Sequence, residues 1–134
     1  MSEPKVSIII PSYNRFEYLL NAIESVQSQN YKNKEIIVVN DNSSQMEYYN
    51  YDFKNILKID LDSSFKKKFG FPTDAVRNEG VKFATGKYVA FLDDDDIWLQ
   101  NKLRTQIEKM ETTKLEFSST EGYFGEGIFD KNKK

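Results

Sequence analysis

The stretch "KVSIIIPSYNRFEYLLNAIESVQSQN", Lys5 to Asn30, followed by "EIIVVN", Glu35 to Asn40, decides the fold. Lys5 to Ile10 is a short β-branched run closed by Pro11 and reads as a buried strand. Phe16, Leu19, Leu20, Ile23 and Val26 then recur at helical spacing, and Asn14 with Glu17 has the form of a capping box. Glu35 to Asn40 is a second buried strand. An apolar strand, an amphipathic helix and another apolar strand make the repeating unit of a parallel sheet.

Working outward, "DNSS" after Asn40 is a polar turn able to start a short helix, and Ile56 to Asp60 is a third strand. "DSSFKKKFGFPTD" reads as a loop, with Lys66-Lys67-Lys68 as a solvated charge run, a diphosphate contact being the minority reading. Thr73 or Asp74 is placed to cap a helix running to Ala84, with Ala75, Val76, Val81 and Ala84 facing inward and Gly86 stopping it. "KYVAFL" is the fourth strand. Ile97, Leu99, Leu103, Ile107 and Met110 mark a further helix, and Leu115 to Thr120 a fifth strand before a polar tail. The expectation is one α/β domain over residues 1–134 with a mostly parallel sheet. Ligands of such sheets sit beyond the carboxyl ends of the strands. Three polar turns, Pro11 to Asn14, Asn40 to Ser44 and Asp93 to Asp96, fall on that one edge.

Composition narrows the chemistry. With 134 residues, 39% hydrophobic and 30% charged, the chain is of ordinary globular make-up. A net charge of −2 argues against a general affinity for nucleic acid, which needs a basic face. No apolar run reaches the length of a membrane span, and the first residues do not form a signal peptide, so a cytoplasmic protein is expected. Cysteine and histidine are both absent. That removes disulfides, zinc sites built on soft ligands, and Cys or Ser–His nucleophiles. A metal must be held by oxygen, which favours magnesium or manganese.

"YVAFLDDDDIW", Tyr88 to Trp98, places four carboxylates on the exit of a buried strand. Two unit charges about 4 Å apart repel by roughly 1 kcal/mol in water and about 4 kcal/mol at an effective dielectric of about 20. Asp96 alone serves as a helix cap. Four Asp are more than a cap requires, and a divalent cation that bridges to a diphosphate turns the repulsion into attraction. Asp41 is either an Asx turn or an acceptor for a base N–H or a ribose hydroxyl. Tyr13 is either core or a surface on which a base stacks. "GVKFATGKY" is rejected as a phosphate loop, because its glycine spacing is wrong and it lies between helix and strand.

Assembled, "VSIIIPSYNR", "SQNYKNKEIIVVNDNSS", "RNEGVKFATGKYVAFLDDDDIW" and "LQNKL" resemble the family 2 glycosyltransferases, in family order and spacing from about Lys5 to Leu103. The resemblance implies the GT-A fold, a Rossmann-like three-layer α/β/α arrangement, here truncated. It also implies inverting transfer of a sugar from a nucleotide diphosphate donor, a uridine diphosphate sugar, assisted by Mn2+ or Mg2+. By position, Pro11 and Tyr13 border the base and Asp41 accepts from the base ring N–H. Asp93-Asp94-Asp95 form the family's DxD-type signature, with Asp94 facing the ribose and Asp95 holding the metal. All four positions are Asp, so Asp93 is an alternative for the ribose. Arg77 and Asn78 match the family's Arg-Asn pair, and Arg77 either reaches the nucleotide or forms a structural salt bridge.

Family members carry a second half that binds the acceptor and supplies the Asp or Glu base. The chain stops soon after the expected fifth strand and so reads as the donor-binding half. Neither Glu121 nor Glu126 sits in a base motif, no residue is assigned as base, and the acceptor is an unspecified glycan, lipid or protein. The rival reading is a non-catalytic nucleotide-sugar-binding module. A phosphatase of the haloacid-dehalogenase type is disfavoured, because too few residues follow Asp96 to carry its later motifs.

Overall fold

The computed structural model describes residues 3–70, 74–114 and 116–119. Strands β1 (Val6–Ser12), β2 (Lys34–Asn40), β3 (Ile56–Asp60) and β4 (Tyr88–Phe91) form one parallel sheet in the order β3-β2-β1-β4. The helices are α1 (Phe16–Gln27), α2 (Glu47–Asn50), α3 (Phe65–Phe69), α4 (Asp74–Val81) and α5 (Lys102–Thr113). β1 lies between β2 and β4, with Ile8 opposite both Ile36 and Ala90. The chain runs outward from β1 through β2 to β3 and then crosses back to β4 on the other side of β1, and this reversal opens a crevice at the carboxyl ends of β1 and β4.

Both sheet faces are covered, as continuous apolar strands require. Ile8, Ile10, Ile36 and Val38 pack with Leu19, Ala22, Ile23 and Val26 of α1 and Leu103 and Ile107 of α5. Ile9, Ile37 and Val39 point the other way and pack against Val76 of α4. Strand alternation therefore feeds two cores, each side chain contributing about 1.5–3 kcal/mol on full burial. Among the described residues no helix is long and apolar enough to cross a membrane.

Several sequence expectations change. Asn14 does not cap α1: it adopts φ 51°, and its Oδ1 accepts from the N–H groups of Ser44 (2.8 Å) and Gln45 (3.1 Å). The start of α1 is satisfied from outside, with Phe16 N–H donating to Gln45 Oε1 (3.0 Å) and Arg15 N–H to the Tyr48 hydroxyl (2.9 Å). The lysine run is not all loop, since residues 65–69 form α3, capped by Ser64 Oγ and closed by Gly70 at φ 86°. α4 ends at Val81, which is 39% exposed instead of facing inward. α5 begins only at Lys102, so Asp96 caps no helix, and Leu99 is exposed. The described part of the expected fifth strand, residues 116–119, is not strand. Thr73, Leu115, Thr120, Glu121 and Glu126 lie outside the described residues.

Two glycines are needed where backbone and sheet come close. A Cβ on Gly80 falls 2.6 Å from Ile9 Cγ2 and 2.9 Å from Val39 Cγ2, both side-chain methyls. On Gly86 it falls 2.7 Å from Lys5 O and 2.8 Å from Ser7 N, which are backbone atoms. Methyls yield more easily than backbone. Gly86→Ala is therefore expected to cost more than Gly80→Ala, with both losing roughly 1–3 kcal/mol in urea denaturation. An equal or milder effect at Gly86 would count against this packing.

Glu35 ties the same corner together. Burial works against its charge, but it accepts from Ser7 Oγ (2.6 Å), Thr85 N–H (2.8 Å) and Thr85 Oγ1 (2.9 Å), and lies 3.1 Å from Lys5 Nζ. The donors prevail, and the carboxyl is pulled down to about 2 from 4.5. A depressed folded value gives stability that is complete above the unfolded value and disappears as pH falls towards about 2. Glu35→Gln is thus expected to lower the melting temperature at neutral pH and to flatten its fall between 4.5 and about 2. An unchanged acid limb in the variant would refute the assignment.

Candidate functional site

The polar turns after β1, β2 and β4 meet in one cleft of about 360 Å³ at the carboxyl edge of the sheet. Pro11, Tyr13, Asp41, Arg77, Asp93, Asp94 and Asp95, singled out from the sequence, all line it. Ser12, Arg15, Lys66 and Val76 join them. The parallel register brings this about: Leu92 N–H donates to Ile9 O (3.0 Å), so the Asp run leaves the sheet directly beside the β1 exit. Downstream the run is pinned to α1, with Trp98 N–H donating to Ser25 Oγ (3.0 Å) and Gln29 Nε2 to Leu99 O (2.7 Å). Both ends of the acidic turn are therefore held by core elements.

The four carboxylates have different surroundings. Asp94 is buried, at 7% exposure. A chain of donors ends on it: Arg15 N–H donates to the Tyr48 hydroxyl, which contacts Ser12 Oγ (2.5 Å), and Ser12 donates to Asp94 Oδ2 (2.8 Å). Burial pushes the Asp94 carboxyl up to about 6, against the Ser12 hydrogen bond and the Arg15 charge, and neighbouring Asp95 adds to the rise. Asp93 accepts from Arg77 Nη2 at 2.7 Å. Asp95 lies 3.0 Å from Arg15 Nη1, which also stands 3.5 Å from Asp94 Oδ1. Asp96 is exposed, and its carboxyl is raised by desolvation and by Asp95 and Asp93.

Carboxylate oxygens of Asp93, Asp95 and Asp96 lie within 4.8 Å of one another. Hard oxygen donors of this kind suit Mg2+ or Mn2+. The sequence puts Asp96 both in the acidic run and at a helix cap; the structure keeps it beside Asp93 and Asp95, but no helix begins there. The sequence gives Ser12, Tyr48 and Arg15 no individual role. A serine in a polar turn and one tyrosine among several carry no local signal of their own, and the arginine is ordinary until the fold sets it beside Asp95.

Asp41 is 2% exposed and holds the start of α3. Its Oδ1 accepts from Phe65 N–H (2.8 Å), and its Oδ2 from Ser64 Oγ (3.0 Å) and Lys66 N–H (2.9 Å). Tyr13 is half-buried, with Lys66 Nζ 5.6 Å from its ring centre. Arg77 forms the salt bridge that was one of its two readings, to Asp93 and to Asp74 (3.2 Å), while it also lines the cleft and its Nε has no hydrogen-bond partner among the described residues.

Comparison with known proteins gives a consistent result. The chain is 40% identical over 124 residues to an uncharacterized glycosyltransferase of Rickettsia bellii, covering 90% of this chain and 17% of the relative. It is 39% identical over 118 residues to the UDP-Glc:alpha-D-GlcNAc-diphosphoundecaprenol beta-1,3-glucosyltransferase WfaP of Escherichia coli, covering 88% of this chain and 46% of WfaP. Among solved structures, S. aureus TarS 1–349 in complex with UDP-GlcNAc aligns with a TM-score of 0.72 at 25% identity, over 94% of this chain and 37% of that one. The chain spans less than half the length of these relatives. The sheet and its flanking helices are those of a GT-A glycosyltransferase, as the resemblance implied. The pattern described as Glycosyl transferase family 2 matches residues 7–134, and the chain belongs to that family.

Proposed function

We propose that this chain is the donor-binding part of a metal-dependent, inverting glycosyltransferase that takes a uridine diphosphate sugar. The observation that carries the reading is the meeting of Asp93 and Asp95, whose oxygens lie close to one of Asp96, with Tyr13 and Asp41 around one cleft. The donor set is all oxygen and mutually repulsive, which fits a hard divalent cation. Asp95, with Asp93 and Asp96 in reach, holds the ion. Bound there, Mn2+ or Mg2+ supplies Lewis-acid neutralisation of charge on the departing diphosphate.

The remaining work falls to the chain itself. Tyr13 and Pro11 border the base. A carboxylate has about four acceptor positions, so Asp41 can hold α3 and still accept a base N–H. Asp94, kept rigid by Ser12 and Tyr48, is placed to receive a ribose hydroxyl. Inversion is carried into the proposal from the family resemblance, and the acceptor base is assigned to no residue. WfaP is named for a UDP-glucose donor and a diphosphoundecaprenol-linked acceptor, and TarS was solved with UDP-GlcNAc. Those names support a uridine nucleotide here and favour a lipid-linked saccharide as acceptor. The cytoplasmic placement expected from the sequence is kept as part of this proposal.

Thermal melting with UDP, with Mn2+ and with both tests the reading. A ligand at about 100 times its dissociation constant adds roughly 2.7 kcal/mol, several degrees for a domain of this size. The pair is expected to raise the melting temperature more than either alone, and Asp95→Ala to abolish the gain. No shift with the pair would sink the proposal.

Asp94 gives a second prediction, made in metal-free buffer. Its folded pKa is raised from 3.8 to about 6, so its contribution favours the fold at low pH and is lost as pH rises through about 6. Asp94→Asn is expected to stabilise the protein at pH about 7 by on the order of 1–3 kcal/mol. The gain should shrink below pH about 4, while binding of UDP with Mn2+ falls. Destabilisation at neutral pH would contradict the assigned strain.

A further inference from the structure

The guanidinium of Arg15 lies where a cation is wanted. It stands 3.0 Å from Asp95 and 3.5 Å from Asp94, and its side chain is 41% exposed to the cleft. Its backbone N–H is fixed by the Tyr48 hydroxyl, so the root of the side chain is anchored, while the head is held, among the described residues, by Asp94 and Asp95. Arg77 differs. It is clamped between Asp93 and Asp74 and is less free to leave.

We propose that Arg15 is a diphosphate-binding residue that, without nucleotide, occupies carboxylate oxygens the metal needs. Metal and nucleoside diphosphate then bind cooperatively. The inference rests on the donor-site reading of the cleft. A metal arriving alone must displace a guanidinium from Asp95 and leave that cation without an acceptor beside the incoming charge. A diphosphate removes the conflict, because its oxygens accept the planar guanidinium fork in a two-pronged arrangement. The coupling is reciprocal, so each ligand raises the affinity for the other by the same factor.

The test is equilibrium binding of Mn2+, read from the signal of free Mn2+ by electron paramagnetic resonance, with and without UDP. The proteins are wild type, Arg15→Gln, Arg15→Lys and Lys66→Gln. Arg15→Gln is expected to bind Mn2+ alone about three- to tenfold more tightly than wild type, the scale of a partly exposed ion pair. The enhancement by UDP should shrink by a similar factor. Arg15→Lys keeps the charge, loses the fork and falls between the two. Lys66→Gln removes a positive charge from the same cleft without breaking an ion pair to the Asp run, and should stay within about twofold of wild type for Mn2+ alone.

A residue needed only for folding would give the opposite sign, weaker metal binding on removal. If wild type binds Mn2+ with UDP but Arg15→Gln shows no gain for Mn2+ alone, the role of Arg15 is overturned and the donor site stands. An equal gain in Lys66→Gln also overturns it, since the effect is then one of general charge. If wild type binds no Mn2+ even with UDP, the donor-site reading falls and this inference falls with it.

Discussion

Repulsion among neighbouring carboxylates is the constraint around which this end of the molecule is built. Asp93 to Asp96 leave the sheet in a tight turn, and none can move far, because Leu92 is bonded to β1 and Trp98 to α1. The protein answers with two arginines and one buried chain of hydroxyls. Arg77 takes Asp93, Arg15 takes Asp94 and Asp95, and Tyr48 and Ser12 direct a donor onto Asp94. The answer is incomplete: burial raises the Asp94 and Asp96 carboxyls, and the neighbouring carboxylates add to the rise. Residual strain of this kind is expected at a site kept for binding.

The sheet order makes the placement possible. With β1 between β2 and β4, the strand order reverses at β1, because the chain crosses back from β3 to β4, and the crevice opens at that point. Gly80 lets α4 approach Ile9 and Val39, which brings Arg77 within reach of Asp93. Gly86 lets the chain pass the backbone of Lys5 and Ser7 and enter β4 in register. Packing two layers from the active edge thus sets which cation meets which carboxylate.

Loops on both edges of the sheet support one another across long sequence distances. Asn14 binds the Ser44–Gln45 backbone, Gln45 caps α1 in return, and Gln29 accepts from Leu103 at the start of α5 (2.9 Å). Asp41 does the same for α3. These reciprocal caps are why two local expectations failed. Asn14 with Glu17 satisfies the pattern of a capping box, and Asp96 that of a helix start, yet better-placed partners existed elsewhere in the fold.

What the sequence alone determined is what depends on periodicity and residue chemistry. Alternating apolar runs specify strands, the 3.6-residue spacing of Leu19, Ile23 and Val26 specifies α1, and their order specifies a parallel sheet. The absence of Cys and His, set against four consecutive Asp, specifies oxygen chemistry at a strand end. The residues expected at the site follow from those facts and the ordered motifs, and the fold brings them into one cleft. Only the tertiary structure decided which Asp is buried, which arginine holds which carboxylate, and that Tyr48 and Ser12 support Asp94. Those outcomes rest on contacts between residues up to 82 positions apart, as between Ser12 and Asp94. Hydrogen bonds and charge pairs act through distances of a few ångströms, and only folding sets which distant residues come that close.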